Sequence, residues 1–231
     1  MNPVQVTTDA FALLFGGDAE LWGIVFVSLK VAILGLLIAA PPGIALGYLL
    51  AMKRFRGRRV LVVLLQSLLA FPTVVVGLVL YMLLSRHGPL GALQLLFTQD
   101  AMIIGQAILA FPILSAFTLS AVQGADPRAH ETAVSLGAGP WRAALTVLNE
   151  ARFAVMAAVI NGFGRAISEV GCALMIGGNI AGVTRNITTA IALETSKGEF
   201  AQGIALGLVL VVLALGINFS MALLQGEGGM K

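Results

Sequence analysis

Glu131-Thr-Ala-Val-Ser-Leu-Gly137-Ala-Gly139-Pro140-Trp141-Arg142 is a polar, glycine-punctuated stretch lying between apolar runs of membrane length. Taken as a helix, residues 128–136 place Arg128, Glu131, Thr132 and Ser135 at i, i+3, i+4 and i+7, with Ala129, Ala133 and Leu136 on another side. One face is polar and the other is small and apolar. Gly137 and Gly139 permit a turn that a Cβ would resist, and Pro140, favoured at a first helical position, starts a second helix through Trp141 and Arg142. The stretch therefore predicts a helix, a bend and a second helix. That form suits a loop which another protein grips, with a solvated connection as the plainer alternative.

On both sides of this loop the composition is that of a bilayer protein. Of 231 residues, 58% are hydrophobic and 11% charged, with a mean hydropathy of +0.97, whereas soluble domains carry about 25% charged residues. The expected class is an all-α integral membrane protein. The length allows one compact domain, and no Ser- or Pro-rich linker leads to a second. The net charge of +3 does not point to nucleic acid, because the cations concentrate in loops flanking the apolar runs. The single cysteine, Cys172, lies in an apolar run and has no internal disulfide partner. Residues 1–20 contain Asp9, Asp18 and Glu20 but no Lys or Arg, so the basic region of a cleavable signal is missing. The first apolar run is expected to stay as an anchor.

Five apolar runs predict five transmembrane helices, at about residues 21–52, 60–84, 101–122, 153–176 and 203–224. The first is 32 residues long, more than the roughly 20 a helix needs to cross hydrocarbon. Lys30 is expected to snorkel near an interface marked by Trp22, and Pro41-Pro42 to kink or interrupt the helix. Lys53, Arg54, Arg56, Arg58 and Arg59 follow at once and assign that end to the cytoplasm. The N-terminal segment 1–20 is then extracytoplasmic, the loop 123–152 cytoplasmic and the tail 225–231 cytoplasmic. Of 14 Lys and Arg, nine fall in inner segments (residues 53–59, 128–152 and Lys231), three in outer segments (Arg86, Arg185, Lys197) and two in spans. Ala70-Phe71-Pro72 in the second span and Ala110-Phe111-Pro112 in the third place a proline in mid-span. Such prolines free carbonyls that suit helices lining a pathway, and packing kinks account for them equally well.

Polar groups inside the fourth span, Asn161, Arg165, Ser168 and Glu169, are the candidates for a translocation pathway. Arg165 and Glu169 are spaced i, i+4 and neutralise one another, as lining or as bracing. Gly43-Ile-Ala-Leu-Gly47 and Gly203-Ile-Ala-Leu-Gly207 are identical small-xxx-small pentapeptides that permit close helix approach. In residues 177–200, Asn179, Thr184, Asn186 and Thr188 supply neutral hydrogen-bonding groups around one cation, Arg185, suited to a surface facing a delivery protein. Catalytic machinery is missing: there is no Gly-x-x-x-x-Gly-Lys-Ser/Thr phosphate loop, and His87 and His130 are not at metal-ligand spacing. A secondary transporter or channel would share the spans without needing the bent loop.

The bent loop resembles the cytoplasmic EAA loop of bacterial ABC importer permeases. Glu131, Thr132, Ala133 and Gly137 are in register with it, while Val147-Leu148-Asn149-Glu150 replaces the family's Ile-x-Leu-Pro ending. Gly164-Arg165-Ala-Ile-Ser-Glu169-Val-Gly171, running on to Gly177-Gly178-Asn179-Ile180, is similar to the matching stretch of molybdate and tungstate permeases. Pro72-Thr-Val-Val-Val-Gly77, Ser85-Arg86-His87-Gly88-Pro89 and Thr184-Arg185-Asn186-Ile187-Thr188 look like the tungstate branch. The resemblance covers about residues 20–224. It implies a type I importer permease fold with the N-terminus outside and the C-terminus cytoplasmic, in a bacterial cytoplasmic membrane. It also implies a homodimer and two ATPase subunits docked on Arg128, Glu131, Thr132, Ala133, Ser135, Gly137 and Pro140. An extracytoplasmic binding protein would deliver tungstate or molybdate. On that reading this chain needs no cofactor, ATP and Mg being held by the ATPase, and it is not an enzyme.

Overall fold

The computed structural model describes residues 3–225. These residues form eleven α-helices and one 3₁₀ turn, with no strand among the described residues. Residues 226–231 of the expected tail, Lys231 included, lie outside the described residues, as do residues 1 and 2.

The axis of the fold is a pair of long helices, α2 (Ala19–Met52) and α5 (Gln99–Gly124). Thirty-four residues make α2 about 50 Å long, enough to cross hydrocarbon and protrude. Its start is capped by Asp18, whose carboxylate accepts from the Leu21 amide at 2.8 Å. Pro41 and Pro42, expected to kink or interrupt it, withdraw the donors that would meet the Leu37 and Ile38 carbonyls, yet the helix runs through them without a break. Small residues on one side let α5 come close. A Cβ at Gly43 would stand 2.8 Å from Leu114 Cβ, and one at Gly47 would stand 2.6 Å from the Ser115 carbonyl. Because Gly35 meets Gln106, Gly43 meets Leu114 and Gly47 meets Ser115, contacts advance together along both helices and the two run parallel. Met52 and Gly124 therefore share one end of the bundle, which bears the cluster from Lys53 to Arg59.

The expected second span is two helices, α3 (Arg58–Leu69) and α4 (Thr73–Leu84), bent by 98° across Ala70-Phe71-Pro72. The same triplet at 110–112 leaves α5 intact. Sequence is not the difference; surroundings are. Pro112 is buried between α5 and its neighbours, whereas Phe71 and Pro72 are exposed, so nothing opposes the extended preference of the residue before proline. After Gly124 come α6 (Arg128–Ser135), α7 (Pro140–Glu150) and α8 (Arg152–Ile167), with α7 and α8 bent by 76°. The expected fourth span is likewise split, into α8 and α9 (Gly171–Gly177). Beyond these are α10 (Ile187–Lys197) and the apolar α11 (Phe200–Gln225). The N-terminal segment is not a simple lead-in: α1 (Pro3–Phe15) buries Ala10 among Leu21, Ile24, Ile187 and Leu206.

By length and composition three helices cross a membrane alone: α2, α5 and the first 18 residues of α11; counting each bent pair, α3–α4 and α7–α8, as one span gives five. Between them run two main cores. Leu36, Leu114, Phe163 and Ile167 join α2, α5 and α8, and Leu80, Met102, Cys172 and Ile176 join α4, α5 and α9. The outward faces carry exposed Phe26, Leu37, Met82, Val212 and Leu215, as a lipid solvent requires.

Candidate functional site: an elbow, a broken helix and a braced cap

The elbow lies at the basic end. α6 closes in a Schellman turn: Ala138 N–H donates to the Ala133 carbonyl at 2.9 Å and Gly137 N–H to the Val134 carbonyl at 3.0 Å. Gly137 takes the left-handed position this turn demands, at φ +82°, and Gly139 and Pro140 start α7. Ala133 is buried with Ala143 and Val147, while Arg128, Glu131, Thr132, Ser135 and Pro140 are exposed. Arg128 meets Asp126 at 3.7 Å and Ser135 Oγ donates to the Thr132 carbonyl. Between α6 and α7 is a hollow of about 570 Å³ lined by Thr132, Leu136, Arg142 and Glu150, among others. Leu136 is 82% exposed and Trp141 74%. These two were not singled out in the sequence as contacts. Their signal is position, since each flanks the Gly137–Pro140 turn, where no helix among the described residues covers them.

The second part is the interruption between α8 and α9. One side of α8 buries Ala158, Gly162, Phe163, Ala166 and Ile167 against the core. The opposite side exposes Ala154, Asn161, Gly164 and, just past its end, Ser168, a small and polar stripe spaced seven, three and four residues apart. Asn161 Nδ2 donates to the Ala157 carbonyl at 2.9 Å, and Ser168 Oγ to the Gly164 carbonyl at 2.8 Å. Arg165 and Glu169 are paired at 2.7 Å, but Glu169 lies beyond the end of α8. Its other oxygen accepts from the Cys172 amide at 3.0 Å, so the carboxylate also caps the first turn of α9. Glu169 is 2% exposed and Arg165 41%.

The third part is the cap at the end opposite the basic cluster. Thr184, Asn186 and Thr188, expected to offer their groups outward, are buried and bonded within the chain. Thr184 Oγ1 donates to the Gly177 carbonyl and accepts from the Ile180 amide. Asn186 and Thr189 form a reciprocal capping box that starts α10. Thr188 Oγ1 donates to the Glu169 carbonyl at 2.6 Å, and the Ile187 amide donates to Ser28 Oγ at 2.7 Å. Asn179, at φ +51°, donates from Nδ2 to the Thr189 carbonyl. Arg185 is 14% exposed and meets Glu20 at 3.3 Å. Lys30, expected to snorkel, does reach the polar end, where its ammonium donates to Gln99 Oε1 at 2.8 Å. Between Asn179 and Thr184 the turn Ile180-Ala-Gly-Val183 is exposed. Beside the end of α4 is a cavity of about 1150 Å³ lined by Tyr81, Arg86, His87, Gln94 and Phe97, among others.

No cluster of three or more His, Cys, Asp or Glu suited to a metal occurs among the described residues. Residues 43–226 match the family described as "Binding-protein-dependent transport system inner membrane component". The chain belongs to that family. This permease is 40% identical over 218 residues to the tungstate uptake system permease protein TupB of Peptoclostridium acidaminophilum, covering 94% of this chain and 96% of the relative. It is 28% identical over 218 residues to the molybdenum transport system permease protein ModB of Escherichia coli, covering 89% and 95%. A crystal structure of an amino acid ABC transporter shares its fold, with a TM-score of 0.64 at 18% identity over 89% of this chain and 92% of that one. The permease is accordingly a multi-pass inner-membrane protein. Its apolar outward faces fit that setting.

Proposed function

We propose that this permease is the membrane subunit of an ATP-driven importer of tetrahedral oxyanions, with tungstate as its first substrate and molybdate as its second. The observation that carries the reading is the 40% identity, end to end, with a tungstate uptake permease, against 28% with a molybdenum one. The spans number five, with the N-terminus outside and the C-terminus cytoplasmic. In support, α2 and α5 run parallel and bring residues 53–59 and the elbow to one end.

Two copies face one another across the α8 stripe, so that Asn161, Arg165 and Ser168 border the pathway while Glu169 sits behind them. A polar stripe turned away from the chain's own core is costly against lipid and suited to a partner copy or water. Each elbow docks an ATPase, which holds ATP and Mg and performs the hydrolysis, with Leu136 and Trp141 as apolar anchors among Arg128, Glu131 and Ser135. The cap receives an extracytoplasmic binding protein on residues 180–183, and Asn179, Thr184, Arg185, Asn186 and Thr188 hold that surface in shape.

The test is reconstitution with the cognate ATPase and binding protein in liposomes, followed by uptake of labelled tungstate, molybdate and sulfate. ATP-dependent accumulation with tungstate ahead is expected. Accumulation without ATP, or of none of the three, refutes the reading.

A further inference from the structure

Arg165 brings a full positive charge into the apolar body of the fold, and only one of its nitrogens is engaged: Nη1 donates to Glu169 Oε2 at 2.7 Å. A guanidinium carries five N–H donors, and the remaining ones have no partner among the described residues. The pair is lopsided, with the carboxylate buried behind and the cation partly open in front. Beside it on the same face stand the Asn161 amide and the Ser168 hydroxyl, each held by its own bond to the carbonyl one turn back. The face is clear between them, since nothing lies within 4 Å of the point where a Cβ on Gly164 would stand.

We propose that Arg165 is a transient contact for the permeating oxyanion and that Glu169 is the built-in counter-charge that keeps this contact weak. The proposal rests on the pathway reading given above. A tetrahedral dianion calls for directional N–H donors, and the free edge of a guanidinium presents them in pairs. A lone arginine in a low-dielectric passage would hold a dianion too firmly to let it leave. Glu169, fixed to the Cys172 amide, cannot follow the anion. It cancels most of the cation's long-range field and leaves the short-range donors in place. The second N–H of the Asn161 amide adds a neutral donor one turn away, so an ion moving along the stripe exchanges one weak set of contacts for the next.

The experiment uses the complete transporter in liposomes with labelled tungstate. Arg165→Gln combined with Glu169→Gln keeps a neutral bonded pair and removes the charged edge. Uptake is expected to fall at least about tenfold while hydrolysis stimulated by the binding protein stays within about twofold of wild type. Arg165→Lys keeps the charge and loses the paired edge, and is expected to fall between the two. Wild-type uptake in the double variant overturns the proposal. So does failure of both variants to assemble with the ATPase, because Arg165 is then a brace only. A separate readout tests the pathway itself: Ser168→Cys should react with an anionic, membrane-impermeant thiol reagent, more slowly when tungstate is transported and more slowly still with the Arg165→Gln/Glu169→Gln pair. No labelling at Ser168→Cys overturns the pathway reading and the contact with it. Labelling that is indifferent to Arg165 overturns the contact alone.

Discussion

Thr188 donates its hydroxyl proton to the Glu169 carbonyl at 2.6 Å, and this one bond ties α10 in the cap to the break between α8 and α9. Glu169 in turn holds Arg165 and the Cys172 amide in the first turn of α9. The cap and the interrupted span are thus one hydrogen-bonded unit. Thr188→Val removes the donor and leaves a buried carbonyl unmet, at a cost of about 1–3 kcal/mol. A lower Tm of the purified permease, restored by Thr188→Ser, is the expected result; an unchanged Tm would show that the bond adds nothing to the fold.

Gly47 and Gly207 end identical pentapeptides in opposite circumstances. A Cβ at Gly47 would meet the Ser115 carbonyl at 2.6 Å and the Thr118 Cβ at 2.7 Å, whereas nothing stands within 4 Å at Gly207. Gly47→Ala should force α2 and α5 apart and cost about 1–3 kcal/mol. Gly207→Ala should be neutral or slightly stabilising, because alanine is the better helix former. Thermal melts of the two variants in the same detergent check this, and equal losses would contradict it.

Much of this was open to sequence reading, and the limits are physical. The elbow could be read because Gly137 and Pro140 act locally: a left-handed turn and a helix start are decided within a few residues. The apolar runs could be read because hydropathy is a sum. The breaks could not. Phe71-Pro72 ends a helix and Phe111-Pro112 does not, and burial against neighbouring helices separates them. The polar residues of the cap were legible as a hydrogen-bonding set, but whether Thr184 and Thr188 face water or the Gly177 and Glu169 carbonyls depends on contacts up to nineteen residues away.

The cytoplasmic placement proposed for the elbow rests on charge. Ser135 is exposed at the basic end, and the native Cys172 is buried. Ser135→Cys should therefore label with an impermeant reagent in inside-out vesicles and stay unlabelled in intact cells. The reverse pattern would invert the orientation.

Gly137 separates backbone freedom from packing. Its φ of +82° is strained for any residue with a Cβ, yet a Cβ there would touch nothing within 4 Å. Gly137→Val should distort the turn by about 1–2 kcal/mol without disturbing insertion. Co-purification of the ATPase should drop, and Gly137→Asn, which tolerates the left-handed region, should lose less. Equal recovery of ATPase with all three proteins would remove the turn's shape from docking.

Arg185, read from the sequence as the one cation on a surface facing a delivery protein, is mostly buried and paired with Glu20 at the start of α2. Two roles are therefore separable by charge exchange. If Arg185 works through the pair, Arg185→Glu sets two carboxylates against each other, loosens the cap from α2 and impairs binding-protein-dependent uptake. Glu20→Arg added to it should then recover most of that uptake, because the pair is rebuilt with its signs reversed. If instead the positive charge at position 185 itself draws the anion, the exchange leaves a carboxylate there and uptake stays low. The geometry favours recovery, since one guanidinium nitrogen is within 3.3 Å of Glu20 and the side chain is only 14% exposed. Uptake kinetics at matched membrane abundance, with wild-type binding protein, distinguish the two roles. Wild-type kinetics in Arg185→Glu alone would show that neither is needed.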